Sequence, residues 1–129
     1  MQIKFTSVMV TDQEHALQFY TKVLGFTKMA DLPIGDFRWL TVTSPDGVEG
    51  VELVLEPMGF EPAVVYQKAR FDAGVPTTDF VTSDIDADVA RLTAAGVVFR
   101  GAPVDMGPII GAVFEDTCGN LIQLVQQKM

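Results

Sequence analysis

VMVTDQEHALQFYTKVLGF at residues 8–26 returns as FVTSDIDADVARLTAAGVVF at residues 80–99. Each stretch holds a short apolar run, an aspartate placed to cap a helix, an amphipathic helical pattern and a glycine. The capping aspartates, Asp12 and Asp84, lie 72 positions apart, and the closing glycines, Gly25 and Gly96, lie 71 apart. A second echo agrees: TSPDGVEGVELVLE at 43–56 corresponds to EDTCGNLIQLVQ at 115–126, with Glu52 and Gln123 separated by 71. Two segments sharing one offset mark an internal duplication, so the chain is read as two equivalent modules of about sixty residues each.

Working outward, residues 3–10 mix Ile, Phe, Val and Met with Thr and Ser, which predicts a largely buried strand. Asp12 offers its carboxylate to the free amides of a first helical turn. Ala16, Leu17, Tyr20, Val23 and Leu24 then recur at helical spacing as far as Gly25. Strands are expected at 26–31, 37–43 and 50–56, the last two joined by the turn Ser44-Pro45-Asp46-Gly47. Residues 58–75 form a crossover containing a short helical pattern closed by Gly74. The order then repeats: strand 77–82, helix from Asp84 to Ala95, strand 97–100, an irregular GAPVDMGP segment, strand 109–114, the turn DTCGN, and strand 121–126. Strict alternation of strand and helix, the mark of a doubly wound sheet, is missing. The fold class is therefore α+β: module one over 1–57, crossover 58–75 and module two over 76–129, each module βαβββ.

Composition narrows the function. The 129 residues carry nine basic and seventeen acidic side chains, a net charge of −8, and 48% hydrophobic residues. Such a chain fills a core, while its surface repels phosphate backbones and anionic membranes, so neither nucleic acid nor membrane is expected as a partner. No run approaches the roughly 18 apolar residues of a membrane helix, and MQIKFTSV lacks the layout of a signal peptide. A cytoplasmic location is the expectation. A single cysteine, Cys118, excludes an intrachain disulfide and a CxxC metal knuckle. It sits in a tight turn, where it is either a nucleophile or a turn residue without chemistry, and the second reading is preferred.

The quoted stretches, with VELVLEP at 51–57 and FEDTCGNLIQLV at 114–125, cover nearly the whole chain and resemble the vicinal oxygen chelate superfamily. That family contains glyoxalase I, bleomycin and fosfomycin resistance proteins and extradiol dioxygenases. The resemblance implies a single domain whose paired βαβββ modules make an eight-stranded, half-open cup, usually completed by a homodimer, with a small-molecule ligand inside. In metal-dependent members a divalent ion is held by one residue on the first and one on the fourth strand of each module. By position these are Phe5 and Glu52, then Thr77 and Gln123. Phenylalanine has no lone pair, threonine and glutamine offer neutral oxygens, and only Glu52 is a strong ligand type. No metal or other cofactor is expected, the alternative being one divalent metal near Glu52. The only histidine, His15, is read as part of a solvated helix face.

Strand alternation then proposes the cup-facing set. Phe5 brings Ser7 and Met9 to the ligand side, Glu52 brings Val54 and Glu56, Thr77 brings Asp79, and Gln123 brings Val125. Trp39 and Arg38, adjacent in GDFRWL, are further candidates for stacking on or pairing with a ligand, or are split between the two faces of the sheet. Glu52 and Asp79 are the candidate catalytic carboxylates if there is catalysis; otherwise they are solvated, or Glu52 pairs with Arg38. The favoured reading is a glyoxalase/bleomycin-resistance-like protein that binds a small organic molecule without the family metal. The alternative is a metal-dependent lyase, isomerase or dioxygenase of the glyoxalase type, and whether the protein is an enzyme stays open at the level of sequence.

Overall fold

A computed structural model of the chain describes residues 1–128. Two compact units divide it, Met1–Tyr66 and a second beginning at Gln67. The first contains β1 (Phe5–Val10), α1 (Gln13–Gln18), β2 (Thr27–Ile34), β3 (Phe37–Thr43) and β4 (Glu52–Pro57). A helix α2 (Glu61–Asp72) spans the division, and the second unit continues with β5 (Thr78–Val81), α3 (Ile85–Ala94), β6 (Val104–Asp105), β7 (Ile109–Glu115) and β8 (Leu121–Gln127). Each unit builds an open four-stranded sheet, in the orders β1-β4-β3-β2 and β5-β8-β7-β6. The first and last strand of each unit pair in parallel, and the remaining neighbours are antiparallel. The duplication read in the sequence is thus a duplication of topology.

In the first unit Val8, Val10, Leu40, Val42 and Leu55 sit on one face of the sheet and are buried, as are Ala16, Leu17, Phe19 and Tyr20 of the helical segment packed against β3 and β4. The second unit does the same with Ala112, Phe114, Ile122 and Leu124 beneath Ile85 and Leu92 of α3. Each such Val, Leu, Ile or Phe side chain removed from water contributes about 1.5–3 kcal/mol relative to its exposed state. Both helices begin at the expected caps: the Asp12 carboxylate accepts from the His15 amide at 2.9 Å and Asp84 from the Ala87 amide at 3.0 Å. Gly25 and Gly96 follow the helices with φ of 87° and 94°, a left-handed conformation that other residues adopt at a cost.

Several expectations are corrected. The first helix is α only to Gln18 and continues as a π-helical turn over Phe19–Val23, where the Leu24 amide reaches back to the Phe19 carbonyl. The Thr21 hydroxyl donates to the Leu17 carbonyl at 2.6 Å within this widened turn. Strand 97–100 is reduced to one bridge, Phe99 to Phe114, and the regular pairing falls instead at β6, inside the segment read as irregular. Gly101, at φ 151°, and Pro103, which lacks an amide hydrogen, interrupt what would otherwise be one edge strand along β7. β2 runs on to Ile34 through Pro33, which an edge strand tolerates.

The turn between β7 and β8 is a buried polar knot. One oxygen of Asp116 accepts from the amides of Cys118 (2.8 Å) and Asn120 (2.9 Å), the other from the Asn120 side chain (2.8 Å). The Asn120 carbonyl oxygen accepts in turn from the Gln67 amide at 3.1 Å, which ties α2 to the turn. Gly119 has φ 95°, and a methyl there would lie 2.7 Å from the Gln67 carbonyl oxygen. Urea denaturation of Asp116→Ala is expected to show a loss of about 3 kcal/mol, from donors left buried without an acceptor. Gly119→Ala is expected to lose about 1–2 kcal/mol from left-handed strain alone.

Candidate functional site

Because α1 covers one face of the first sheet, strand alternation leaves Phe5, Ser7 and Met9 on the other, beside Glu52, Val54 and Glu56 of β4. Trp39 and Thr41 of β3 share that face. The Phe5 and Trp39 rings meet edge to face with centroids 5.4 Å apart, and Phe5 keeps 47% exposure. The Ser7 hydroxyl donates to Glu56 at 3.0 Å. An aromatic pair therefore borders a strip of polar side chains on a face that no helix of this unit covers.

Glu52 stands in the middle of that strip. The Thr41 hydroxyl, itself fully buried, donates to one carboxylate oxygen at 2.6 Å, and the Lys4 ammonium lies 3.2 Å from the other. Lys4 also donates to the Gly50 carbonyl and lies over the Phe5 ring. The Thr41 hydrogen bond first, then Lys4, hold the Glu52 carboxyl below its ordinary value against the opposing effect of burial. Glu52 is consequently a charged acceptor already engaged at both oxygens, which is the opposite of what a general base near neutrality requires.

Arg38 and Trp39 are split. Arg38 lies on the helix side, where it grips Asp31 with two bonds of 2.9 and 2.7 Å and reaches Glu14 of α1 at 3.0 Å. The suggested Glu52–Arg38 pair is therefore replaced by Glu52–Lys4, and Arg38 leaves the candidate ligand face. Gln13, unnoticed in the sequence, fixes this corner. Its side chain donates to the carbonyls of Arg38 (2.8 Å) and Leu55 (2.9 Å) and accepts from the Arg38 amide (3.0 Å).

In the second unit the expected equivalence is displaced. Phe5 pairs with Glu52, but the partner of Gln123 is Asp79 rather than Thr77. The Thr77 amide donates to the Leu121 carbonyl and its hydroxyl to Asn120 at 3.3 Å, so Thr77 serves the β7–β8 turn. The shift spans two residues, which preserves the face of the strand while changing who meets whom. Asp79 is exposed at the sheet edge. On the same face as Gln123 lies a cavity of about 420 Å³, bordered by Val113, Leu121, Val104, Met106, Arg100 and the bare backbone of Gly111. Arg100 is paired with Glu115 at 3.1 Å and stacks over Phe71. The sequence signals for this cavity were the glycine inside a strand and the punctuated GAPVDMG segment.

A divalent ion would need several anionic or imidazole donors converging. Among the described residues no group of three or more His, Cys, Asp or Glu side chains is placed to hold one. Glu52 is engaged by Lys4, Phe5 presents a ring, and Thr77 is spent on the turn. The four residues that the resemblance assigns to a metal, Phe5, Glu52, Thr77 and Gln123, do not fit one, and Asp79, which stands opposite Gln123 in place of Thr77, belongs to no group of three or more such donors among the described residues. Cys118 is buried in the β7–β8 turn, and His15 is exposed on α1.

The model of the Glyoxalase/Bleomycin resistance protein/Dioxygenase superfamily matches residues 2–124. The uncharacterized protein YurT of Bacillus subtilis (strain 168) is 50% identical over 127 residues, 98% of this chain and 100% of its own. Among solved structures, UcmS2 superposes with a TM-score of 0.83 at 32% identity, covering 97% of each chain. TnmS3, an antibiotic binding protein from Streptomyces sp. CB03234, gives 0.78 at 32% identity, covering 99% of this chain and 97% of its own.

A depressed carboxyl contributes stability that is complete above its ordinary value of 4.5 and is lost as pH falls through the lower folded value. Thr41→Val is expected to raise the pH at which the Glu52 carboxyl titrates by carbon NMR. The stability gap between wild type and Thr41→Val should be about 1 kcal/mol wider at neutral pH than in acid below both titrations.

Proposed function

This chain belongs to the glyoxalase/bleomycin resistance protein/dioxygenase superfamily, and we propose that it is a binding protein for a small, largely apolar organic molecule rather than a metal-dependent enzyme. One observation carries the reading: Glu52, the one strong donor among Phe5, Glu52, Thr77 and Gln123, is committed to Lys4 and Thr41, while beside it Phe5 remains exposed and its ring partner Trp39 half-buried. Polarisation of a substrate's oxygens by a bound cation depends on a site that delivers the cation's charge to them. Here a lysine already neutralises the carboxylate, so what the face offers is area for burial, ring edges and a few hydrogen bonds. TnmS3, similar over nearly the whole chain and described as antibiotic binding, supports the same direction.

Trp39 is the only tryptophan in the protein, so its emission reports on this face directly. Titration with bleomycin and a panel of neutral aromatic compounds should give saturable quenching with at least one of them. Trp39→Phe should abolish the emission, and calorimetry with Trp39→Ala should show that compound bound about tenfold more weakly, the scale of one lost aromatic contact. Failure of every compound to bind, or equal affinity in Trp39→Ala, would count against the proposal.

A further inference from the structure

The cavity in the second unit is mostly apolar, yet one group in it is unspent. The carboxamide of Gln123, in the middle of β8, has no hydrogen-bond partner among the described residues and borders the cavity. Gly111 makes this possible, because a methyl there would lie 2.7 Å from the Gln123 amide nitrogen and would also strike the end of Met106. The amide therefore lies across the bare β7 backbone instead of standing clear of it. In a mostly apolar pocket the few polar groups orient the ligand.

The charges around it select the ligand class. Among the described residues Arg100 is the only cation bordering the cavity, and Glu115 already holds its Nε at 3.1 Å. Asp79, the register partner of Gln123, adds a further negative charge at the edge. An anionic ligand would meet a guanidinium whose charge Glu115 already offsets, with a second carboxylate, Asp79, on the neighbouring strand. A carboxamide presents a donor and an acceptor side by side, and its best complement is a neutral group with the same pair in reverse.

We propose that this cavity recognises uncharged ligands bearing a carboxamide, lactam or imide on an apolar body, through a two-point hydrogen bond to the side chain of Gln123. The inference rests on the binding-protein reading above and gives that reading a ligand class.

The test is nitrogen-edited NMR of the full chain with three probes of similar size: benzamide, benzoate and ethylbenzene. Benzamide should shift the Gln123 side-chain amide resonances together with Gly111 and Val113, and should bind about tenfold more tightly than benzoate or ethylbenzene, the scale of one to two hydrogen bonds. Gln123→Leu, which keeps the bulk and removes both polar atoms, should bring benzamide down to the affinity of ethylbenzene. Gln123→Glu, which keeps the shape and loses the donor, should weaken benzamide as well and serves if the leucine variant does not give a folded spectrum. If benzamide binds at Phe5 and Trp39 while the Gln123 resonances stay still, or binds Gln123→Leu and Gln123→Glu as well as wild type, this inference is wrong and the binding-protein reading stands. If none of the probes perturbs any resonance, both are overturned.

Discussion

Each unit has four strands and a helix that follows the first of them, and a helix can cover only one face of a sheet. Alternation of side chains along the strands then settles everything on the other face. In the first unit, burying Val8, Val10, Leu40, Val42 and Leu55 beneath α1 obliges Phe5, Ser7, Trp39, Thr41, Glu52 and Glu56 to gather on the far side. In the second, burying Ala112, Phe114, Ile122 and Leu124 leaves Gly111, Val113, Gln123 and Asp79 there. The composition of the open faces is thus a consequence of where the core lies, and a one-residue slip in either register would exchange the two faces.

Within those faces the electrostatics are local and mostly closed. Although the chain carries a net charge of −8, most of its cations stand in ion pairs, among them Lys4 with Glu52, Arg38 with Asp31 and Glu14, Arg100 with Glu115 and Lys128 with Asp105. Exposed pairs of this kind add little stability. Their effect is on chemistry, since each removes a charge that a substrate or metal could otherwise have used. Glu52 illustrates it: the same carboxylate that would anchor a cation in a metal-dependent relative is here an internal acceptor. What remains available is aromatic surface in one unit and an unsatisfied amide in the other.

The duplication was legible because it repeats residue types with strong local meaning, a capping aspartate and a helix-ending glycine, at a constant offset. The helix-facing and open-facing sets were legible for the same reason, since alternation needs only the strand and its parity. Four features were not. Arg38 and Trp39 are neighbours in sequence, and only the position of α1 decides which of them goes beneath it. The pairing of Gln123 with Asp79 depends on a two-residue register difference between the modules, which parity cannot detect. β6 lies in a segment whose glycines and proline read as irregular, because pairing there is dictated by β7 rather than by local preference. Lys4 lies just before β1, and nothing in its neighbourhood announces a partner 48 positions away at Glu52.

The central claim is that the carboxylate at position 52 is held by the protein's own lysine and threonine and does not help assemble a metal site. Isothermal titration of the purified, chelator-treated protein with nickel, zinc and manganese, compared with Glu52→Gln, tests it most directly. The account predicts no stoichiometric binding in either protein. A one-to-one heat with wild type that disappears in Glu52→Gln would contradict it.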